Sequence, residues 1–348
     1  PKNRPIVRIK LGGGIMSNRI VGQPYISVSV ICFNQENFIA ETLNGILSQR
    51  TGFSFEIVVS DDRSTDGTRR IVSDFAEKFP GLVRANFNSE RKGMKENFLR
   101  NLDRCRGEFI AICDGDDLWT DPQKLQLQVD FLRANEDCTS VFHRVRHESR
   151  KGNLFQELPL SHMRKPRSTV EDLLREGTFK PTSSIMFRRP AEGSWPRWFW
   201  RLENIVDLPL NIFNALRGDI GYIDETLGDY RTSSSPTAFS ARPGHLVYEE
   251  TFQMYELMIE NFQSDLHCAL RRSQVRVLRH LFIVHVLGRR RSEAQAANDR
   301  LNRFKADHDF LEADSFDSLA RVILFLMKAQ MWPLAGWVIR KYGLQHAY

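Results

Sequence analysis

Between Ala111 and Leu125 the chain reads AICDGDDLWTDPQKL, placing Asp114, Asp116, Asp117 and Asp121 in close succession. The preceding EFIAIC (Glu108–Cys113) is a short apolar run of the kind a buried strand requires. Carboxylates bunched at a strand end repel one another and resist desolvation, so water, backbone N–H groups or a cation must satisfy them. Asp121 followed by Pro122 reads as a helix N-cap with proline at the first helical position, which accounts for one carboxylate. Gly115 permits a tight turn that brings the remaining side chains toward one point. Oxygen ligands on such a turn suit Mg²⁺ or Mn²⁺, with substrate phosphates and water completing the shell. A lone DxD triplet is common by chance, and a solvated acidic turn is the alternative reading.

A second acidic group lies in SDDRSTDGT (Ser60–Thr68), where a strand runs into turn chemistry and then a helix. Asp66 or Thr65 accounts for the helix cap, which leaves Asp61 and Asp62. A strand-end carboxylate can accept a hydrogen bond from a nucleobase imide or a ribose hydroxyl. A purely structural role stays open on spacing alone.

Both clusters must be positioned by the elements around them. From Tyr25 strand-like and helix-like segments alternate: YISVSVICF, NFIAETLNGILSQ, FEIVVS, RRIVSDFAEKF, LVRANFN, KENFLRNLDRC, EFIAIC and DPQKLQLQVDFLRAN. Such alternation predicts a mainly parallel α/β sheet flanked by helices, whose ligand sites lie beyond the carboxyl ends of the strands. Both acidic clusters fall at such ends. Farther on, TSVFHRVRHES and TSSIMFRRP read as strands and TVEDLLREG as a helix, with a second helix begun near Pro209 and the strand IGYID after it. The chain divides into an extension (residues 1–24), a first half of the sheet domain (25–135), a second half of the same domain (136–231), a linker (232–244) and an appended helical region (245–348).

The length of 348 residues suits about two domains, and 41% apolar with 26% charged residues is a globular composition, not a disordered one. A net charge of +6 mildly favours anionic ligands or surfaces. The five cysteines form no CxxC pair or metal spacing, as expected of reduced core thiols in a cytoplasmic protein. No signal peptide is visible, and a start without Met suggests a trimmed chain. The segment Leu319–Gly343 is the most apolar, but Arg321, Lys328, Gln330 and Pro333 interrupt it. It reads as a buried helix pair or, given Trp332, Trp337, Arg340 and Lys341, as a pair that meets a membrane surface at the inner face of the cell membrane, or a partner chain.

The segments ISVSVICFNQENFIAETLNGILSQ, FEIVVSDDRSTDGT and GEFIAICDGDDLWTDPQKLQLQVDFL, in this order and spacing, resemble the nucleotide-sugar-binding half of family-2 glycosyltransferases, inverting enzymes of the GT-A fold. The resemblance covers Tyr25–Asn135 and continues more loosely to Arg231. It implies a GT-A-like (Rossmann-like) sheet and transfer of a sugar from a nucleotide-diphosphate sugar, by default a UDP-sugar, to a hydroxyl of a glycan or lipid-linked acceptor in cell-envelope polysaccharide synthesis. It implies that Phe33 and Asn34 line the base pocket, that Asp62 and then Asp61 contact the nucleobase, and that Asp116 is the principal metal ligand with Asp114 on metal or ribose. Trp119 would wall the sugar pocket, a core role being the alternative. Asp207 takes the place of the family's catalytic base, with Glu203 as rival because Val206 stands where relatives often have glycine. Relatives commonly carry a His after the Tyr-Arg pair; here Ser and Thr follow, which leaves Arg231 to contact the diphosphate.

Other features read more plainly. ERKG (Glu90–Gly93) reads as surface charge, Arg289–Arg291 as a solvated helix end, and WPRWFWR (Trp195–Arg201) as an exposed aromatic loop able to hold an acceptor. His143 and His147 fall on a strand and make no zinc pair. Nothing in the pattern points to nucleic acid. The rival classes are a nucleotidyltransferase, for which LGGG (Leu11–Gly14) is the only phosphate-loop candidate, and a non-catalytic nucleotide-sugar-binding scaffold.

Overall fold

The computed structural model describes residues 23–148, 155–157, 165–176, 181–202, 205–231, 243–308 and 315–341. Glu203, LGGG and nearly all of the expected linker lie outside them. Two compact units are present, and the chain passes between them more than once: residues 169–179, 196–213 and 233–348 make up the second.

The first unit is built on one sheet. Its early strands are β1 (Ile26–Cys32), β2 (Phe55–Asp61), β3 (Val83–Phe87) and β4 (Phe109–Asp114), interleaved with helices α1 (Ile39–Leu47), α2 (Thr68–Lys78) and α3 (Met94–Asp103). The short β5 (Leu118–Trp119) and helix α4 (Lys124–Ala134) follow, and then β6 (Cys138–Glu148), β7 (Phe155–Glu157), β8 (Arg167–Ser168), β9 (Met186–Arg188) and β10 (Asp219–Tyr230). The strand order is β3-β2-β1-β4-β9-β6-β10-β5, with β7 and β8 added at β6 and β10. β3, β2, β1 and β4 are parallel, as the alternation predicts. β9 runs antiparallel between β4 and β6, and β5 pairs antiparallel with β10.

β1, β2 and β4 are buried on both faces because helices cover both, and one face is continuously apolar. Ile26, Val28, Val30, Ile57, Val59, Phe109, Ala111 and Cys113 are buried, and Ile39, Leu43 and Ile46 of α1 pack into the same core. On β1 and β2 the buried polar positions find partners: the Asn101 Nδ2 group on α3 shares its two hydrogens among Ser29 Oγ, Val30 O and Val58 O.

The second unit is helical. It contains α5 (Val170–Glu176), α6 (Arg197–Arg201), most of α7 (Asp207–Ala215), and α8 (Gly244–Asn261), α9 (His267–Leu287), α10 (Arg291–Asp307), α11 (Ser315–Lys328) and α12 (Trp332–Lys341). WPRWFWR is mostly helix and not an open loop: Trp198 and Phe199 are buried, and Trp200 alone of this aromatic trio is exposed. Among the described residues no helix is long and apolar enough to cross a membrane.

Candidate functional site

The parallel register aligns the strand ends. Cys32 on β1 faces Asp61 on β2, and Ile31 faces Asp114 on β4, so both acidic clusters meet at one edge of the sheet. Phe33, Asn34, Asp61, Asp62, Asp114 and Asp116 all belong to this edge.

Asn34 sits in the left-handed region (φ 52°) and ties two turns together. Its Oδ1 accepts from Thr65 N at 2.8 Å, and its own N–H donates to Ser64 Oγ at 3.0 Å. Asp61 is fully buried and accepts from Ser64 N at 3.2 Å. Asp62 is 3% exposed. Its Oδ1 accepts from Lys92 N (2.7 Å) and Asn88 Nδ2 (3.0 Å), and its Oδ2 accepts from Gly93 N (2.9 Å). A carboxylate offers about four lone-pair directions, so this anchoring leaves room for one further donor. ERKG is therefore more than surface charge: its backbone holds Asp62, and the Arg91 guanidinium lies 3.9 Å from the centre of the Phe33 ring. Nothing in the sequence pairs residues so far apart; only the crossing of the two loops does.

The acidic turn has a different construction. Gly115 N donates to Ile31 O at 3.0 Å, and Asp117 N to Asp114 O at 3.0 Å. Thr42 of α1 donates its single hydroxyl hydrogen between Asp117 O (2.7 Å) and Gly115 O (3.1 Å), which fixes the turn against the helix. Gly115 is required by close approach, not by an unusual φ: a Cβ there would lie 2.9 Å from Cys32 Cβ and 3.0 Å from Ile31 O. Asp114 and Asp116 are partly exposed, whereas Asp117 is 1% exposed. Burial, then the charges of Asp114 and Asp116, push the Asp117 carboxyl well above the usual carboxylate range. Its Oδ1 accepts from Arg231 N at 3.0 Å, and Oδ2 is buried. Asp117 is thus the buried anchor of the turn, and Asp114 and Asp116 are its two partly exposed carboxylates.

Among the described residues no group of three acidic, His or Cys side chains is placed to hold a metal unaided. Two carboxylates on a rigid turn suffice for a cation that takes its remaining ligands from phosphate and water, as Mg²⁺ and Mn²⁺ do. Asp114 and Asp116 fit that donor set.

Arg231, at the end of β10, is mostly buried and straps this edge together. Its Nη1 donates to Asp116 O (3.1 Å) and its Nη2 to Glu41 Oε2 (2.6 Å), with the guanidinium over the Phe38 ring. Trp119 is a core residue: it is 2% exposed, and its Nε1 donates to Ser183 O at 3.0 Å. Lys124 Nζ lies 3.7 Å from the centre of that indole and donates to Gln128 Oε1 at 2.7 Å. Lys124 is fully buried, and desolvation lowers its ammonium to about 7. Asp121 accepts from Gln123 N at 2.7 Å, which caps the turn ahead of a helix that begins at Lys124.

Asp207 belongs to the second unit and opens α7. Burial raises its carboxyl above the ordinary value, and the backbone N–H of Leu208 partly offsets the rise. That shift brings a carboxylate toward the range useful for accepting a proton near neutral pH.

The model of the family described as "Glycosyl transferase family 2" matches residues 27–194. A protein of Mycobacterium tuberculosis is 35% identical over 229 residues, 65% of this chain, which spans 64% of that relative's length. The putative teichuronic acid biosynthesis glycosyltransferase TuaG of Bacillus subtilis is 31% identical over 241 residues, 67% of this chain and 90% of TuaG. Among solved structures, TarS of S. aureus (residues 1–349, in complex with UDP-GlcNAc) superposes with a TM-score of 0.60 at 18% identity, covering 92% of both chains. The mannosyltransferase PcManGT of Pyrobaculum calidifontis, in complex with GDP-Man and Mn²⁺, gives 0.51 at 18% identity, covering 92% of this chain and 88% of its own. The fold is GT-A, and its acidic edge is built from the residues of the matched region. The chain belongs to glycosyl transferase family 2.

Proposed function

We propose that this protein transfers a glycosyl group, with inversion, from a nucleoside-diphosphate sugar to a hydroxyl of a glycan or lipid-linked acceptor in cell-envelope polysaccharide synthesis. The observation that carries the reading is the two partly exposed carboxylates of Asp114 and Asp116 at the same sheet edge as Phe33, Asn34 and Asp62. The donor reading defaults to a UDP-sugar, supported by the fold shared with TarS, which was solved with UDP-GlcNAc. The envelope setting draws support from the likeness to TuaG.

In this reading Asp116 is the principal ligand of Mn²⁺ or Mg²⁺, and Asp114 shares the metal or meets the ribose. The cation, when bound, neutralises negative charge that develops on the diphosphate leaving group. Phe33 and Asn34 bound the base pocket, and Asp62 accepts the base N–H through its remaining lone pair while holding the Asn88–Gly93 loop. Arg231 keeps the acidic turn in place through Asp117 and Asp116; contact with the diphosphate would require it to leave Glu41. Asp207 takes the proton of the acceptor hydroxyl as that oxygen bonds to the anomeric carbon. The bond from that carbon to the phosphate oxygen breaks on the opposite face, and its electron pair leaves with the nucleoside diphosphate. A single displacement needs no protein nucleophile.

The test is release of nucleoside diphosphate from UDP- and GDP-sugars with Mn²⁺ or Mg²⁺. The parent should turn over a donor, and Asp116→Ala should lose at least 10²-fold of that rate, as expected when leaving-group stabilisation is removed. Its melting temperature should stay close to the parent's. A folded Asp116→Ala protein with full metal-dependent activity would overturn the assignment.

A further inference from the structure

Helices α11 and α12 form a hairpin joined through Ala329–Met331, with Gln330 in the left-handed region (φ 58°). A helix that packs on a globular core needs one apolar stripe, and each of these has that stripe: Phe316, Ala320, Ile323, Leu326 and Met327 on α11, and Ala335, Val338 and Ile339 on α12, are buried. Both helices carry further apolar residues on the outside. Val322 is 49% exposed, Phe325 68%, Met331 44%, Leu334 40% and Trp337 47%. Five large apolar side chains exposed within one hairpin form a patch, unlike the single exposed apolar residues any surface tolerates.

The charges around the patch identify what it fits. From Ser318 to Lys341 the sequence has Arg321, Lys328, Arg340 and Lys341 and no acidic residue. All four of these bases are exposed. Lys341 Nζ lies 4.6 Å from the centre of the Trp337 ring, so a cation and an indole are presented together. Asp317, at the start of α11, is the one acidic residue of the hairpin. An apolar face bearing tryptophan beside four exposed cations matches the boundary between acyl chains and anionic headgroups. A second copy of the chain would oppose four like charges to four, which disfavours pairing through this face. Neither helix can span a bilayer, so the contact is interfacial.

We infer that the α11–α12 hairpin docks the protein on an anionic lipid surface, with Phe325 and Trp337 entering the acyl boundary and Arg321, Lys328, Arg340 and Lys341 meeting the headgroups. The inference rests on the second unit alone and is independent of the glycosyl-transfer reading.

The experiment is co-sedimentation of the full chain with vesicles of phosphatidylcholine, with and without phosphatidylglycerol. Binding should require phosphatidylglycerol and weaken as salt rises, because the attraction of surface cations to anionic headgroups is screened by salt. The exposed-site variant Phe325→Ser/Trp337→Ser should bind at least tenfold more weakly, and so should a second variant with Arg321, Lys328, Arg340 and Lys341 changed to Gln. Both should melt near the parent temperature, since none of these side chains is in the core. Parent protein that fails to sediment with anionic vesicles, or binds neutral ones equally well, overturns the inference. So does a parent dimer that Phe325→Ser/Trp337→Ser dissociates while vesicle binding is unchanged, because the patch would then face another copy.

Discussion

At the scale of single residues, burial has set several proton equilibria. Asp207 is raised above an ordinary carboxylate value of about 3.9. A general base works only when deprotonated, so the acid limb of kcat/KM should fall with its midpoint above that value. Asp207→Asn should remove this limb and lower transfer by about 10²–10⁴-fold, with donor affinity measured by calorimetry near the parent's. Loss of affinity with unchanged transfer would give Asp207 a binding role instead. Lys124 has the opposite problem. Its folded value of about 7 lies below the unfolded value of about 10.4. Between the two, the unfolded chain binds the extra proton, so this group's contribution to stability rises with pH through that window and is flat below it. Urea unfolding should therefore show the parent gaining on Lys124→Met between pH 7 and pH 9.5. Two curves that stay parallel would mean that Lys124 remains charged in the fold.

At the scale of elements, turns and strands aim the chemistry. The strand-helix alternation from Tyr25 to Asn135 is legible because parallel strands covered on both faces must be apolar runs, and the helices between them show their buried stripes. The carboxylates at the ends of those strands are legible for the same reason. What local pattern does not reveal is contact between distant loops. Arg91 on Phe33, the Lys92 and Gly93 N–H groups on Asp62, and Arg231 on Glu41 all join residues whose proximity depends on strand order. The antiparallel β9 was readable as a strand, but its direction depends on pairings with β4 and β6 that no local pattern reveals. Trp119 was equally opaque: an aromatic after an acidic turn looks the same whether it faces a sugar or Ser183 O. Gly115→Ala tests the turn itself. The added methyl meets Cys32 Cβ and Ile31 O, so the acidic turn must move away from β1. We expect a loss of about 1–3 kcal/mol in stability and a raised metal requirement for turnover. Parent-like metal titration would show that the turn tolerates displacement.

At the scale of the whole molecule, the sheet has charge at both ends with opposite uses. Opposite the acidic edge, Glu56 is 1% exposed and accepts from Ser27 Oγ (2.7 Å), Arg84 Nη1 (2.8 Å) and Arg106 Nη2 (2.5 Å). Burial alone would raise its carboxyl, but Arg106, Ser27 and Arg84 outweigh it and hold the group below its ordinary value. A depressed carboxylate stabilises the fold above the unfolded value of about 4.3, and that contribution is lost as pH falls through the folded value. Glu56→Gln should cost about 2 kcal/mol at neutral pH and flatten the acid limb of the denaturation curve. Identical acid limbs in the two proteins would remove Glu56 from the account. The place of β9 has a further consequence, for the order in which the molecule assembles. Ala111 of β4 pairs with Met186, and β6 reaches β4 only through that strand. A chain emerging from the ribosome can thus join β3, β2, β1 and β4 early, yet must hold β4 as an open edge until Met186–Arg188 arrives. An unpaired apolar edge invites pairing with other chains, so slow synthesis between β4 and β9 is the interval in which this protein is most exposed to aggregation.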